Sequence, residues 1–484
     1  MERATSPSSR PHGRLSLIGS GEMLAPSGLP PVDPPFHRPM TFFDELRWRG
    51  MLADATDAAE AAFAEGVQTA YVGFDPTASS LHVGHLLPIQ GLVHLQRAGH
   101  RPIALVGGGT GLIGDPSGKS QERKLLTRDE VAANAEAVRA QLEPFLDFRG
   151  VPNRAQVLNN LEWLGDMPLL DFLRDVGKHF PVNVMLRKES VRRRLEEGEA
   201  GLSYTEFSYL LLQSYDFYRL FADHGCGVQL GGQDQWGNIT AGTDLIRRIT
   251  GERAHGVVFP LITTASGVKF GKTEAGAVWL DPKRTSPYRF YQFWLNTDDA
   301  DLPMYLRYFL LRDRDEILGL EESLRDRPQE REAHEVLASA ITERVHGTAG
   351  LARARTASEV LFGGGAVDDL DAAEIADIFS DVPSSRIHRS ALEGDGMGVV
   401  ALLAEVGVTS SRSEARRGIE QGGVYLNNRR VDDAGATVRV EDAIEGRFLV
   451  FRRGKKRFHL VELGSGSWDD ERQGASGRPQ GSAE

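Results

Sequence analysis

Side chains able to bind ligands or do chemistry cluster in a few short strings along this 484-residue sequence. In "GFDPTASSLHVGH", His82 and His85 stand where a turn carrying Thr77 runs into an apolar-periodic segment. The mouth of a helix exposes unpaired N–H groups that attract anions, and two imidazoles there add donors for phosphate oxygens. A pair of surface histidines beside a cap is the plainer reading. Zinc is disfavoured, because no third or fourth ligand is near in sequence.

The string "GGGTGLIGDPSGKSQERK" holds Gly109, Gly111 and Gly114 in a formal GxGxxG after a strand. A dinucleotide fingerprint must open a helix, yet Asp115-Pro116-Ser117-Gly118 follows and breaks one. A phosphate-binding P-loop fails too, since the glycine needed five residues before Gly118 falls on Ile113. What remains is a glycine turn that lets backbone approach a ligand, followed by Lys119, Arg123 and Lys124, which are in reach of phosphate.

If "YTEFSYLLLQSYDF" is helical, Tyr209, Gln213 and Asp216 share one stripe, opposite Phe207, Leu210, Leu211 and Phe217. An amphipathic helix with a wet polar face accounts for this window equally well. "GGQDQWGN" puts Asp234 and Gln235 just after a strand, where α/β proteins bind ligands. "GVKFGKT" carries Lys269, Lys272 and Thr273 on a glycine-containing loop suited to a polyphosphate, although a solvated lysine pair is the commoner meaning of such spacing. Finally, "TSSRSEARRGIEQGGVYLNNRRV" places Arg412, Arg416 and Arg417 on a short helix and Arg429 and Arg430 on a strand–turn–strand. Residues 409–460 hold 12 Lys/Arg against 7 Asp/Glu, a local +5 in a chain of net charge −12. Such a basic island is the footprint of a nucleic-acid-binding module.

The elements that must position these groups follow from periodicity. "VQTAYVGF", "RPIALVGG", "QVLNN", "GVQLGG" and "HGVVFPLIT" read as strands separated by helical patterns, including "LLPIQGLVHLQRAGH" capped near Gly99. That alternation predicts an α/β domain with a Rossmann-like parallel sheet over residues 41–284. Strands then stop, and residues 285–380 read as a separate helical unit, with Asp313 as an N-cap, Pro328 as a stop and a helix closed at Gly347. Residues 381–396 read as a flexible linker, 397–463 as a small α+β module, and 464–484 as an unstructured tail. Residues 1–40 contain eight prolines, six serines and four glycines, so no packed fold is expected there. The arm reads as a translated leader upstream of a true start at Met40 rather than a transit peptide, whose amphipathic helix eight prolines oppose. The folded part is expected to begin at Thr41. Hydrophobic residues at 40% and charged residues at 26% are globular proportions. One cysteine, Cys226, excludes a disulfide framework and suits a reducing, cytoplasmic compartment. No apolar run is long enough for a membrane helix.

Taken in this order, "HVGH", "GDPSGK", "GGQDQWGNITAG", "KFGKT" and the basic C-terminal module resemble the bacterial tyrosyl-tRNA synthetases, class I aminoacyl-tRNA synthetases, from about Thr41 to Leu463. The C-terminal module is similar to the S4-type RNA-binding fold, and the helical block to an anticodon-binding domain. The resemblance implies activation of L-tyrosine by ATP and transfer of the tyrosyl group to tRNA(Tyr) by a homodimer. Mg2+ would ride on the ATP phosphates, with no protein-bound metal or cofactor. By family position, Thr77, His82, His85, Lys119, Arg123, Lys269, Lys272 and Thr273 would serve ATP and the departing pyrophosphate. Tyr71 and Asp216 would meet the substrate hydroxyl; Asp115, Tyr209 and Gln213 its ammonium; Gln235 its carboxylate; and Asp234 the ribose. Arg412, Arg416, Arg417, Arg429 and Arg430 would bind tRNA. Val72 stands where some relatives carry a cysteine. A nucleotide-dependent oxidoreductase, an RNA-binding protein without activation chemistry and a tryptophanyl enzyme are the alternatives. Pro116, the paired signature residues, and Tyr71 with Asp216 respectively argue against them.

Overall fold

A computed structural model describes residues 41–464, except 116–124, 189–190, 193–194, 196–201, 266, 268–269, 274–275, 364–366, 368–369, 380–381 and 455–456. For residues 272, 273, 362 and 363 it describes the backbone alone. The arm at 1–40 and the tail beyond Gly464 lie outside the described residues.

Strands β1 (Asp54–Ala55), β2 (Thr69–Phe74), β3 (Arg101–Val106), β4 (Gln156–Asn159), β5 (Cys226–Gly232) and β6 (His255–Phe259) form one sheet, ordered β1-β6-β5-β2-β3-β4. All neighbours are parallel except β1 on β6. The chain leaves β2 toward β3 and β4, and leaves β5 toward β6 on the other side. The order therefore reverses between β2 and β5, and the loops after adjacent strands part there to leave a crevice. Helix α1 (Phe42–Arg49) opens the described chain with a Thr41–Asp44 capping box. Helix α2 spans Ala59–Glu65, α3 Leu86–Arg97 and α4 Arg128–Leu142. Ten of the 12 residues of α3 are buried, so it is a core helix under the sheet rather than a surface one. The "YTEFSYLLLQSYDF" window is helical within α5 (Tyr204–His224), and α6 (Trp236–Thr250) packs beside it. Leu210, Leu211, Tyr209, Asp216 and Phe217 are all buried, so neither stripe of α5 is a wet face.

Two boundaries differ from the sequence reading. Helices Pro287–Leu295, Leu302–Phe309, Arg314–Asp326 and Glu332–Ser358 are not a separate unit. Trp294, Leu306, Phe309, Leu337 and Ile341 share one continuous hydrophobic cluster with Val72, Leu86, Ile89 and Val257 of the sheet domain. Strand absence marked the change of architecture correctly but carried no information on which faces the helices bury. Gly347 breaks the long helix at φ 73°, and a second helical segment continues to Ser358. The supposed linker is instead structural: Ser384–His388 is a strand paired in parallel with Arg457–Gly464 at the edge of a five-stranded sheet. Its polar composition fits an edge strand, where one side faces water. A further cluster joins Ala357, Val360, Val367, Ile375 and Phe379 to Phe448, Val450, Phe458 and Leu460. By its packing, the stretch from about 357 to 379 thus belongs with the C-terminal module. The module's own hairpin, Val424–Leu426 to Arg429–Arg430, turns on Asn427 and Asn428 at φ 48° and 61°, the two-residue turn that asparagines favour.

These shared cores set where the chain can be cut. Ending at Ser358 removes a whole packed unit, whereas ending at Gly396 strips the sheet from residues 357–388 and exposes Val360, Ile375 and Phe379. The Ser358 chain is expected to unfold in one cooperative denaturant transition and bind little hydrophobic dye. The Gly396 chain should bind more dye and be clipped by protease between 359 and 396. The opposite ranking would show the core assignment to be wrong.

Candidate active site

The crevice between β2 and β5 gathers side chains from the loops after β2, β3, β4 and β5 and from α5 and α6. Tyr71 points from β2 into a cluster with Ile103, Leu105 and Phe217, its ring 5.4 Å from that of Phe217. Its neighbour Val72 alternates to the other face and packs with the α3 side. The hydroxyl of Tyr71 is buried with no hydrogen-bond partner, an arrangement that costs free energy until a ligand supplies one. Burial, together with Asp216 and Cys226 nearby, holds the Tyr71 hydroxyl well above its ordinary range and therefore neutral.

Asp216, only 2% exposed, accepts from Asn160 Nδ2 at 2.8 Å and from Trp163 Nε1 at 2.7 Å. Burial pushes its carboxyl up to about 8, against the lowering effect of those two donors. Asn160 continues the chain of contacts: its Oδ1 accepts from the Gly109 N–H at 2.7 Å, and its Nδ2 donates to Thr110 Oγ1 at 2.9 Å. Thr110 donates to Asp75 Oδ1 at 2.7 Å, and Tyr209 donates to Asp75 Oδ2 at 2.8 Å. After burial, Asp75 and Asp115 are the largest causes holding the Tyr209 hydroxyl well above its usual range. Two partly buried carboxylates, both acting on the one Tyr209 hydroxyl, give this part of the crevice a negative field that suits a cation such as an ammonium. Beside it, Gln235 donates to Asp115 Oδ2 at 2.7 Å, Gln213 donates to Gln235 Oε1 at 3.2 Å, and Asn238 donates to both Gln213 and Gln235. Amide groups at the far end can meet a carboxylate.

His82 and His85 lie at the mouth of α3, rings 4.1 Å apart. The Gly84 N–H donates to His82 Nδ1 and the His82 N–H donates to His85 Nδ1, both at 3.1 Å. Backbone amides can only donate, so in neutral His82 the proton sits on Nε2, whereas His85 Nδ1 lies within reach of both the N–H and, at 3.3 Å, the O of His82, so either tautomer satisfies it. The α3 mouth therefore combines helix N–H groups with the Nε2–H of His82, a set that suits phosphate oxygens. Among the described residues no group of three or more His, Cys, Asp or Glu is placed to hold a metal ion.

Of the sequence-predicted residues, Tyr71, Asp115, Tyr209, Gln213, Asp216 and Gln235 come together at this crevice, and His82 with His85 at the helix mouth. Thr77 is exposed on the turn after β2, and Asp234 is exposed in the 3-10 turn after β5. Lys119, Arg123 and Lys269 lie outside the described residues. Lys272 and Thr273 form the backbone of a two-residue strand paired with Gly276–Ala277. Sequence reasoning missed Asp75, Thr110, Asn160, Trp163 and Asn238. Asp75 and Asn160 follow β2 and β4, and polar residues just past parallel strands were a usable signal. Trp163 offered none.

Comparison with known proteins decides the family. A family model described as class I tRNA synthetases (W and Y) matches residues 64–363, and one for the tyrosine–tRNA ligase SYY-like C-terminal domain matches 374–461. A tyrosine–tRNA ligase of Roseiflexus castenholzii is 55% identical over 423 residues, 87% of this chain and 99% of that one. The chain belongs to the tyrosine–tRNA ligase family of class I tRNA synthetases. The Geobacillus stearothermophilus tyrosine–tRNA ligase is 50% identical over 425 residues, 87% of this chain and 99% of that protein. A C-terminally truncated mitochondrial tyrosyl-tRNA synthetase of Aspergillus nidulans superposes with a TM-score of 0.61 at 31% identity, covering 66% of this chain and 94% of that one. The parallel-sheet core is thus the class I synthetase fold.

Asp216 makes the stability of this family member depend on pH in a definite direction. Its folded value, about 8, lies above the ordinary carboxyl value of 3.8, so between these limits the folded state holds more proton than the unfolded chain, and stability falls as pH rises. Asp216→Asn cannot titrate. Its unfolding free energy should gain on wild type steadily from pH 4 to 8, with the difference level above 8. A difference independent of pH across that window would mean that Asp216 is ionised throughout.

Proposed function

We propose that this chain activates L-tyrosine with ATP, giving tyrosyl-adenylate and pyrophosphate, and then transfers the tyrosyl group to a terminal ribose hydroxyl of tRNA(Tyr) in the cytoplasm. The observation that carries the reading is the partnerless Tyr71 hydroxyl beside the buried Asp216 carboxyl, deep in an otherwise apolar part of the crevice. A phenol hydroxyl there can accept from Tyr71 and donate to Asp216. Phenylalanine would leave the Tyr71 hydroxyl unmet, at a desolvation cost of about 1–3 kcal/mol, while Asp216 keeps only its Asn160 and Trp163 donors.

The rest of the crevice suits the rest of the amino acid. Asp75, Asp115, Tyr209 and Gln213 receive the α-ammonium, and Gln235 faces the carboxylate. A carboxylate oxygen of tyrosine attacks the α-phosphorus of ATP, and the bond to pyrophosphate breaks. His82 and His85 donate from Nε2 to phosphate oxygens as charge shifts toward the leaving group, with Thr77 beside them on the turn. Lys119, Arg123, Lys269, Lys272 and Thr273 are proposed to meet the pyrophosphate, and Asp234 the ribose. Mg2+ accompanies the ATP phosphates. With no group required to form a covalent enzyme intermediate, positioning supplies most of the acceleration.

The helical block is proposed to face the anticodon side of the tRNA, and the C-terminal module to bind its backbone. Arg412, Arg416, Arg417, Arg429 and Arg430 are all exposed, and the Arg430 guanidinium folds over Gly422 at the end of the arginine-bearing helix, joining the two basic clusters. Arg430 is partly neutralised by Asp432 at 2.9 Å. A homodimer is proposed through the segment where Leu169, Leu170, Leu173, Val182, Val184 and Leu186 are 42–78% exposed. Apolar side chains so concentrated in one stretch of chain are costly to leave in water.

Amino-acid-dependent exchange of pyrophosphate into ATP tests the reading: tyrosine alone among the twenty amino acids should support it. Tyr71→Phe should lower the tyrosine-over-phenylalanine ratio of kcat/KM by about five- to tenfold, the worth of one neutral hydrogen bond. Unchanged discrimination in that enzyme would mean that the hydroxyl is read elsewhere. For the dimer, sedimentation at micromolar concentration should show Leu170→Asp shifting toward monomer; a wild-type chain already monomeric there counts against it.

A further inference from the structure

The histidine string and the strand returning from the lysine loop are stitched together by backbone. Leu280 N–H donates to Leu81 O at 2.8 Å, Val83 N–H to Val278 O at 2.9 Å, and Val278 N–H to Gly271 O at 3.1 Å. Residue His82 forms an antiparallel bridge with Trp279 inside this ladder, and Ser80 Oγ accepts from the Asp281 N–H at 3.0 Å. Gly271 sits at φ 78°, and a Cβ there would come within 2.6 Å of Val83 Cγ2, so the ladder admits no side chain at that point.

On this ladder three rings or planes lie against one another. The indole of Trp279 meets the His82 imidazole edge to face, centroids 5.9 Å apart and planes at 68°. On the indole, the Arg284 guanidinium lies 3.4 Å from the ring centroid. The turn that brings Arg284 back is fixed by Arg284 N–H and Thr285 N–H, both donating to Asp281 O at 3.0 Å, and by the Trp279 N–H donating to Thr285 Oγ1 at 2.9 Å. A cation over an indole face and an edge-to-face aromatic pair each favour one orientation over others. His82 Nδ1 accepts from the Gly84 N–H, which sets its tautomer, and the His85 ring lies 4.1 Å away; the Trp279 indole is the aromatic contact on the side of the lysine-loop strand.

We infer that Trp279, held by Arg284, is a positioning residue for the activation step: it sets the plane of the His82 imidazole and so the direction of its Nε2–H. This rests on the reading of His82 as a ligand of the ATP phosphates. Because the same ladder continues through Val278 to Gly271, the stack also ties the imidazole to the base of the lysine loop. Trp279 and Arg284 share no hydrogen bond, ion pair or ring contact with Tyr71 or Asp216, so their contribution belongs to the phosphate half of the reaction and not to amino-acid binding.

Steady-state pyrophosphate exchange with the full-length chain tests this. Trp279→Leu should lower kcat by about 10- to 100-fold, the cost of a displaced group near the reacting atoms, with KM for tyrosine within about twofold of wild type. Trp279→Phe, which keeps an aromatic face, should recover most of that loss. The decisive comparison places Trp279→Leu in a His82→Asn background, where it should cost less than about twofold if it acts through the imidazole. Arg284 is exposed, so Arg284→Ala tests the stack without disturbing the core; it should lower kcat about two- to fivefold in wild type and not in the His82→Asn enzyme. Equal losses with and without His82, a parallel rise in KM for tyrosine, or unchanged kcat in Trp279→Leu and Arg284→Ala would each overturn the inference. Failure of the wild-type chain to exchange with tyrosine would instead refute the functional reading on which it rests.

Discussion

A carboxyl group enclosed by protein is the constraint around which the crevice is built. Asp216 is 2% exposed and its carboxyl is raised to about 8, a measure of how poorly protein replaces water around a charge. Two donors, Asn160 and Trp163, offset part of that cost. Their placement then propagates, since Asn160 must also satisfy the Gly109 N–H and share its amide with Thr110, which in turn holds Asp75 against Tyr209. Loops after β2, β3 and β4 and the face of α5 are thereby locked into one network by a single buried acid. A pocket so braced can present a partnerless Tyr71 hydroxyl without collapsing around it.

The same economy of supports appears at the mouth of α3. His82 and His85 do not stand alone at a helix mouth; their Nδ1 atoms are occupied by backbone N–H groups, and the segment carrying them is paired to the strand that closes the lysine loop. Fixed dipoles stabilise developing charge better than mobile ones, because no reorganisation is needed as the reaction proceeds. The helices at 287–358 provide the footing. They share the hydrophobic cluster of the sheet domain, and Phe270, at the root of that loop, packs on Tyr305 and Phe309 at ring distances of 5.0 and 5.9 Å. A block that sequence pattern sets apart as a domain is therefore part of the rigid base of the active site.

At the C-terminal end the contacts run differently. The stretch 357–379 packs on the strands at 448–460, while Asn428 of the basic hairpin donates to Val360 O at 2.8 Å. Ser286 and Arg289, on the first helix after the sheet domain, both bond Asp377. The basic module is thus seated on the helical block through polar contacts and one compact apolar patch, rather than hanging from a free linker.

Local sequence determined the elements and the chemistry available to them. Alternation of apolar runs with helical periods marked the parallel sheet, cap and stop residues such as Asp313 and Pro328 marked ends, and the spacing of His82 with His85 and of Tyr209, Gln213 and Asp216 gave groups that the fold keeps close. These are short-range properties, set by backbone sterics and by the period of a helix or strand. Tertiary structure alone decided which way the stripes faced, that residues 384–388 close a sheet edge, and that the 287–358 helices join the catalytic core. It alone brought Asn160, Trp163 and Asp75 to Asp216 and Tyr209, across sequence separations of 53 to 134 residues. A polar side chain in isolation looks the same whether water or a buried carboxylate is its partner. Only the fold, by removing the water, makes the choice of partner matter.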